Sequence, residues 1–514
     1  MSAGEPYLGL MTFPGSTGSF ATFLSGFQDT LRTALHESSD VDHLGISRGL
    51  PAPVLDSILA GGPLSTFIPA EFGGRGGAIH ECLAVLETSS YESLALGLTF
   101  GINWALFLQP LAKHAQDGIK GPIFARFLRD KSLGGLMITE PDYGTDALNM
   151  QTSSTERPDH YHIQGTKHWG GLSGMADYWL VTARERSADG NLRRDISFFV
   201  CDVQSPGQDI EVEEYFENLG LYQIPYGRNR IDARVPKDHR LQSGTTGVKM
   251  MLDMLHRSRM QFPGMGQGFL RRMLDEALAH CRSRYVGGRS LSSYDQVQQR
   301  LARMQASFTI SSAMCCFSSG SAGIENDLST RGVEANSIKT VITDMMQDAA
   351  QSLLQLVGAK GYRLDHIAGR STVDSRPFQI FEGSNDVLYS QISETLLKMM
   401  QRSKETNLFT FLAGFKLTAR ASQYFRELLN FGVDRELPQR KLVDLGRALG
   451  RIVSMEWVLK LGDRGFRADL IANGLSILRQ EINGLLDTFT RRGSVEAVEE
   501  YRDNSSWFSL VSPT

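Results

Sequence analysis

The sequence predicts a mainly α-helical protein with a central β-domain and a helical C-terminal extension. Two observations support this fold class. Apolar residues recur at helical spacing before residue 133 and after residue 245, whereas the segment between them holds short aromatic and β-branched runs separated by Gly, Asp and Pro. The whole chain has 514 residues, a length that corresponds to about three or four domains. We expect the boundaries at 1–132, 133–245, 246–402 and 403–514.

The sequence of the N-terminal region predicts amphipathic helices. In the segment TFLSGFQDTLRTALHE, Phe23, Phe27 and Leu31 fall on one face at helical spacing. A glycine-rich break at 73–77 follows, and helical patterns resume to about residue 130. These patterns indicate a helical domain over residues 1–132.

The middle segment predicts a small antiparallel β-domain, which we interpret as a β-barrel. HYHIQGTKHW, ADYWLVTARE and ISFFVCDV are the strand candidates. The third is almost wholly apolar, which is typical of a strand covered on both faces.

Long helices are predicted again for residues 246–402, which we interpret as a four-helix bundle. Two runs in this region exceed 20 residues without proline, and the second ends at Gly358, a typical C-cap residue. A polar linker at 401–407 precedes the extension, for which we predict helices at 408–431, 437–462 and 466–490. This extension has three interpretations: a membrane-surface device, a dimer-stabilising domain, or a cover over a groove.

Composition limits the classes of function. Hydrophobic residues are 41% and charged residues 21% of the chain, so a large core is expected and global disorder is not. A net charge of -4 argues against non-specific binding of nucleic acid. We read the five cysteines as reduced thiols, and the N-terminus shows no basic or apolar targeting pattern. We therefore expect a cytoplasmic protein without a membrane-spanning helix or a metal site.

Two segments of the β-domain are candidates for ligand binding. ITEPDYGTDA, at 138–147, is rich in backbone donors and hydroxyls, which suit an anion or a polar heterocycle but also an ordinary surface turn. GTKHWGGLSG, at 165–174, places Trp169 beside two glycines and so offers a flat apolar wall, although a tryptophan in such a domain is more often core. GMGQG, at 264–268, lacks a preceding strand, so we interpret it as helix packing rather than dinucleotide binding.

The segment FQIFEGSND, at 378–386, offers a candidate base. Glu382 lies between aromatic residues and a glycine, directly before a predicted helix start at Ser384. A carboxylate in apolar surroundings has a raised pKa and is suited to proton abstraction. The competing interpretation is an ordinary glutamate that precedes a helix.

Taken in order, these motifs resemble the acyl-CoA dehydrogenase family of flavoproteins over about residues 20–402. IPAEFGG, at 68–74, resembles the turn of its N-terminal domain, ITEPDYGTD its flavin-binding segment, and FEGSND the segment with the catalytic glutamate. The resemblance implies that FAD is the cofactor and Glu382 the base. It assigns cofactor contacts to Ile138, Thr139, Gly144, Thr145, Trp169, Gly171, Arg284, Gln355, Gly358, Ser384 and Asp386. It assigns substrate contacts to Arg259 and Gly383.

Within this assignment, some roles are specific. Ile138 and Thr139 are expected beside the flavin ring, and Trp169 on the ring face away from the substrate. Arg284 and the pair Gln355 and Gly358 match residues that reach the cofactor of a neighbouring subunit, which implies a homo-oligomer, a dimer or a tetramer.

The chain also departs from the family pattern. A glycine, Gly171, replaces a hydroxyl residue beside the flavin, and His256 and Gly287 replace an aspartate and an aromatic residue. Some members carry the base on the helix of Arg259, but Ser258 stands at that position and is unable to serve as one, so Glu382 remains the candidate.

The resulting hypothesis is α,β-dehydrogenation of an acyl thioester, carried by coenzyme A or an acyl carrier protein. Glu382 removes the α-proton, flavin N5 accepts the β-hydride, and an electron-transferring flavoprotein takes the electrons. Two alternatives stay open: an oxidase that uses oxygen, and a non-catalytic or nucleic-acid-associated flavoprotein of the same superfamily. The retained Glu382 and the weak charge excess of the extension argue against the second of these.

Overall fold

The computed structural model describes residues 18–242, 244–434, 436–491 and 495–511. Residues 1–17, on which the expectation of no targeting sequence largely depends, lie outside the described residues. The predicted fold class is confirmed: helices flank a central sheet, and further helices follow the bundle. The predicted domain boundaries remain predictions.

Helices form the N-terminal region. Their bounds are α1 Gly18–Arg32, α2 Val41–Leu44, α3 Ala52–Ala60, α4 Ile79–Glu92, α5 Leu94–Gly101, α6 Gln109–His114 and α7 Asp117–Arg129. A π-helical segment, Ile102–Leu108, joins α5 to α6 in one run. By length and composition alone, Leu94–His114 would span a membrane, contrary to the expectation from the sequence, but 94% of its most apolar window is buried inside the protein.

The middle region contains the sheet. Its strands are β1 Gly134–Met137, β2 Ser153–Glu156, β3 His160–Gly171, β4 Tyr178–Arg186, β5 Leu192–Asp202, β6 Gln208–Tyr215 and β7 Tyr226–Pro236. They pair in the order β1-β4-β2-β3-β7-β6, with β5 on β4. The expectation of a purely antiparallel domain is wrong, because β1 and β2 both pair with β4 in parallel.

The bundle contains four helices of 18 or more residues. Its elements are α8 Gly247–Ser283, the short strands β8 Tyr285–Val286 and β9 Arg289–Ser290, and the helices α9 Asp295–Ser319, α10 Gly332–Val357, α11 Ile367–Ser375 and α12 Asn385–Arg402. Gly358 ends α10 with a positive φ of 72°, as predicted for a C-cap. GMGQG lies inside α8, where a Cβ on Gly268 would lie 2.0 Å from the carbonyl oxygen of Glu87. These glycines therefore serve close helix packing, as predicted.

The extension packs on the bundle. Its helices are α13 Leu408–Gly414, α14 Arg426–Leu429, α15 Gln439–Asp463 and α16 Ala468–Thr490. The single helix predicted for 408–431 is wrong, because the buried carboxylate of Glu456 accepts hydrogen bonds from the backbone N–H groups of Arg420 and Ala421 and starts a separate turn there. The apolar side chains of α15, among them Leu449 and Trp457, are buried within this chain.

Candidate active site

Glu382 lies in a tight turn between a 3-10 segment, Arg376–Gln379, and the start of α12. Its φ is +55° and that of Gly383 is +91°, so two consecutive residues adopt the left-handed region. A non-glycine residue in this region is strained and persists only where its surroundings hold it. The turn therefore carries the features of a functional segment.

The carboxylate of Glu382 has one partner and one unpaired oxygen. Ser258 Oγ, on α8, donates a hydrogen bond of 2.6 Å to Oε1. Oε2 is buried and has no partner among the described residues. Burial raises the pKa of Glu382, and the hydrogen bond from Ser258 is the strongest influence that lowers it. The result is a carboxylate of increased basicity with one oxygen available to a ligand.

Two buried cations hold the backbone of this turn. Arg259 donates to the carbonyl oxygen of Glu382 through Nε at 3.2 Å and through a terminal nitrogen at 2.7 Å. Lys339, on α10, donates to the carbonyl oxygen of Gly383 at 2.8 Å. Burial lowers the pKa of Arg259 to about 10 and that of Lys339 to about 7. The family resemblance predicts that Arg259 contacts the substrate; in the structure it contacts the turn that carries the candidate base.

Ser258 and Lys339 are the site residues that sequence reasoning missed. The family pattern identifies Ser258 only as a residue that is unable to act as a base, although a hydroxyl beside a carboxylate is a natural hydrogen-bond donor. Gln261 Nε2 lies 3.2 Å from Ser258 Oγ and donates to it, and it also donates to the carbonyl oxygen of Gly101 at 3.1 Å. The spacing of Ser258 and Gln261, one helical turn apart, was a usable signal for one polar face of α8.

A second group of predicted residues meets in the β-domain. Ile138 and Thr139 follow β1, and the backbone N–H of His168 on β3 donates to Thr139 O at 2.8 Å. Next to it, Trp169 has a φ of +57° at a break in the β3–β7 register. Its side chain is 53% exposed and its ring centroid lies 4.6 Å from that of Phe216. An exposed tryptophan held in a strained backbone offers a stacking surface for a flat ring.

The other predicted cofactor-binding residues of the β-domain differ in how exposed they are. Gly144 and Thr145 lie in an exposed turn, and a Cβ on Gly144 would meet nothing within 4 Å. Gly171 is tightly enclosed, because a Cβ there would lie 2.9 Å from Ile102 Cδ1. The hydroxyl residue that the family pattern favours therefore does not fit at Gly171 without a shift of Ile102.

A buried ion pair supports the segment after β1. Lys167 Nζ contacts Glu140 Oε1 at 2.9 Å and the carbonyl oxygen of Ile138 at 3.0 Å. Glu140 also accepts hydrogen bonds from the backbone N–H groups of Gln151 and Thr152. Sequence reasoning did not identify this pair, because the two charges are separated by 26 residues of turn and strand.

Arg284, Gln355 and Gly358 lie at the opposite end of the bundle and are exposed. Arg284 follows the last residue of α8, whereas Arg259 lies within the same helix, and 25 residues of α-helix separate them by about 37 Å. His280, one turn before Arg284, contacts the backbone of Leu356. The three residues therefore form a separate group.

The two residues predicted to contact the cofactor at the start of α12 have partners of different kinds, and their cofactor contacts remain predictions. Ser384 occupies the N-cap position, but its side chain makes no capping hydrogen bond. Asp386 forms an ion pair of 3.0 Å with Arg447 of the extension. The described residues contain no cluster of three or more His, Cys, Asp or Glu that would hold a metal ion.

Two parts of the chain match models of a known protein family. Residues 135–233 match the model of the acyl-CoA dehydrogenase middle domain, and residues 245–397 match that of the acyl-CoA dehydrogenase C-terminal domain. A probable acyl-CoA dehydrogenase of Mycobacterium tuberculosis is 26% identical over 356 residues, which are 68% of this chain and 88% of that relative.

Two solved structures have the same fold. Butyryl-CoA dehydrogenase from Megasphaera elsdenii matches with a TM-score of 0.64 and 23% identity, over 75% of this chain and all of that one. An acyl-CoA dehydrogenase from Bacillus anthracis, solved with FAD, matches with a TM-score of 0.74 and 16% identity over 94% of this chain and 93% of that one. The second match takes in most of the C-terminal extension. The chain belongs to the acyl-CoA dehydrogenase family.

Proposed function

We propose that this protein is an FAD-dependent dehydrogenase that introduces an α,β double bond into an acyl thioester, with Glu382 as the base. One observation supports the proposal above all: Glu382 is desolvated, and its Oε2 is buried without a partner among the described residues. A buried glutamate with a purely structural role would be expected to have hydrogen-bond partners for both carboxylate oxygens.

The chemistry requires a base that is ionised and strong near neutral pH. Burial makes Glu382 more basic, while Ser258 and the nearby positive charges keep the ionised form accessible. Glu382 takes the α-proton, whose C–H electron pair passes into the new double bond. Bound FAD would accept the hydride that leaves the β-carbon.

The developing charge on the thioester oxygen needs hydrogen-bond donors. The backbone N–H of Glu382 has no hydrogen-bond acceptor within the described part of the chain. The strained turn therefore presents a free donor and the base from the same residue. Arg259 and Lys339 do not compete for this role, because their hydrogen bonds go to the carbonyl oxygens of Glu382 and Gly383.

The region around Trp169 fits a flat cofactor ring. Trp169 supplies an exposed aromatic face, and Ile138 and Thr139 lie next to it through the His168 hydrogen bond to Thr139. His168 Nε2 is buried with no partner in the described chain, which is consistent with a polar group bound nearby. These residues would hold FAD.

We propose acyl-CoA as the substrate class, on the basis of the names of the relatives, and an electron-transferring flavoprotein as the electron acceptor. We further propose a homo-oligomer. Arg284, Gln355 and Gly358 are exposed, and Arg284 lies about 37 Å along α8 from Arg259, which supports contact with a cofactor held by another subunit.

The test is anaerobic mixing of the FAD-loaded protein with a panel of straight, branched and dicarboxylic acyl-CoAs. We expect the visible flavin absorbance to bleach with at least one of them, and the acyl product to gain one double bond. A protein that binds FAD but is reduced by no acyl-CoA or acyl carrier protein thioester would contradict the proposal. Reoxidation in air, compared with reoxidation by an electron-transferring flavoprotein, separates an oxidase from a dehydrogenase.

A further inference from the structure

The C-terminal extension touches α12 directly after the turn that carries Glu382. Gly446 and Gly450, on α15, face Tyr389, one turn into α12. A Cβ on Gly446 would lie 2.0 Å from the carbonyl oxygen of Tyr389, so only glycine permits this approach. The extension and the start of α12 are therefore packed backbone to backbone.

Arg451, one turn after Arg447 on α15, enters the bundle at this point. It is largely buried, and it donates to Glu481 Oε2 at 2.9 Å and to the Tyr389 hydroxyl at 3.2 Å. Its other terminal nitrogen lies 3.5 Å from Asp344 Oδ2, to which the Tyr389 hydroxyl also donates at 2.7 Å. Arg451 thus provides the positive charge beside the Asp344 carboxylate.

Asp344 continues the path to the turn. Its second oxygen, Oδ1, accepts hydrogen bonds of 2.8 Å from Gln379 and from Asn385 Nδ2. Asn385 Oδ1 accepts a hydrogen bond of 2.9 Å from Lys339, which also holds the carbonyl oxygen of Gly383. Hydrogen bonds therefore run without a gap from the extension to the residue after Glu382.

Tyr389, Asn385 and Lys339 are buried, and Arg451 and Asp344 are largely buried, which makes the path rigid. In a low-dielectric interior, a polar group that loses its partner bears its full desolvation cost, so linked groups hold one arrangement. Loss of Arg451 would leave Asp344 as a largely buried carboxylate without its counter-ion. Asp344 would then be expected to move, and its hydrogen bond to Asn385 would change.

We propose that Arg451 is a positioning residue for Glu382, so that the extension contributes to catalysis without contacting the substrate. The inference rests on the proposed function, because it assigns the turn a role in orienting the base. The ion pair between Arg447 and Asp386 provides a second contact from the extension to the start of α12, and it is more exposed than the first.

The first test compares Arg451→Gln with a matched control, Arg420→Gln. Arg420 pairs with Asp463 inside the extension, outside the path described above. We expect Arg451→Gln to slow flavin reduction by a saturating acyl-CoA by about tenfold or more, because small displacements of a base are costly. The control is expected to keep the wild-type rate. Arg451→Lys, which retains the charge beside Asp344, should recover part of the loss.

The second test does not depend on turnover. Hydrogen–deuterium exchange of residues 380–388 should be faster in Arg451→Gln than in the wild type and in Arg420→Gln. If no acyl thioester reduces the wild-type flavin, the proposed function fails, and the exchange rates alone decide the positioning role. Unchanged reduction and exchange in Arg451→Gln, with only a lower melting temperature, would overturn the inference.

A milder variant covers the case in which Arg451→Gln does not fold. Tyr389→Phe removes only the hydroxyl that bridges Arg451 and Asp344, and it keeps the ring in place. It should slow flavin reduction in the same direction and speed exchange at 380–388. Wild-type values for both would count against the path.

Discussion

Ser258 Oγ lies 2.6 Å from Glu382 Oε1 and donates a hydrogen bond to it. The donor favours the ionised carboxylate and so opposes the increase in pKa that burial of Glu382 causes. Without Ser258, the pKa of Glu382 would be higher still and less of the carboxyl would be ionised, and a protonated glutamic acid cannot accept the α-proton. The pair therefore balances two needs of a base, which has to be strong and also ionised.

Ser258→Ala should move the acid limb of the pH profile to higher pH. Loss of the donor raises the pKa of Glu382 further. At acid pH, a smaller fraction of the protein therefore carries Glu382 in its ionised form. A hydrogen bond to a charged group is worth about 1.5–3 kcal/mol, which corresponds to a decrease in rate of about tenfold or more on the acid side. The measurement is the rate of flavin reduction between pH 5 and 9. Ser258→Thr keeps the hydroxyl and is the control; equal profiles for Ser258→Ala and wild type would contradict the role.

Glu382→Gln should abolish proton abstraction and also change the pH dependence of stability. Without a base, flavin reduction is expected to fall by at least about 10²-fold, while FAD content is retained. Burial raises the pKa of Glu382 in the folded state, so the wild type loses stability as the pH rises through that pKa. Glutamine has no charge to desolvate. The melting temperature of the variant relative to wild type should therefore increase from pH 5 to pH 8.

The competing interpretation of Glu382 gives the opposite result. If the residue only supports the start of α12, Glu382→Gln would lower the melting temperature at every pH and leave reduction nearly intact. One stopped-flow trace and a pH series of melting curves separate the two.

The sequence was informative where local chemistry and spacing were sufficient. The period of apolar residues identified the helices on both sides of the sheet, and Gly358 marked the end of α10. The apolar run around Glu382 correctly indicated its desolvation. Contacts between distant segments could not be predicted from the sequence. The hydrogen bond from Lys339 to Gly383 joins residues 44 apart, and the sequence around neither residue indicates it.

The two errors in the fold have the same origin. The parallel pairing of β1 and β2 with β4 depends on where loops return, whereas short alternating strands look alike in either direction. The break in the helix predicted for 408–431 depends on Glu456, which captures two backbone N–H groups from a different helix. In both places tertiary contacts override the local pattern.

Trp169→Ala should weaken FAD binding without lowering stability. The side chain is 53% exposed, so its loss leaves no cavity in the core. Aromatic stacking contributes about 0.5–1.5 kcal/mol, which corresponds to an increase of about two- to tenfold in Kd for FAD. Titration of the apoprotein with FAD provides the measurement. Tyr424→Ala, at a comparably exposed aromatic residue of the extension, is the control, and equal affinities for the two variants would argue against stacking on Trp169.

Arg284 should act on a cofactor held by a neighbouring subunit. It lies about 37 Å along α8 from Arg259, so in one chain it is remote from the Glu382 turn. Arg284→Gln is expected to weaken FAD binding, because a guanidinium is well suited to bind a phosphate group. Light scattering should show that the FAD-loaded protein is at least a dimer.

A complementation experiment tests this arrangement directly. A protein mixed from Arg284→Gln and Trp169→Ala subunits contains mixed dimers. If each site takes Trp169 from one subunit and Arg284 from the other, every mixed dimer has one site with both residues altered and one with both intact. If Arg284 reaches across the interface, subunit exchange should restore tight FAD binding to about a quarter of all sites, since half of the dimers are mixed and each has one intact site. If Arg284 serves the cofactor of its own chain, every site in every mixed dimer lacks one residue, and mixing restores nothing. A monomer with full FAD occupancy would also contradict the assignment.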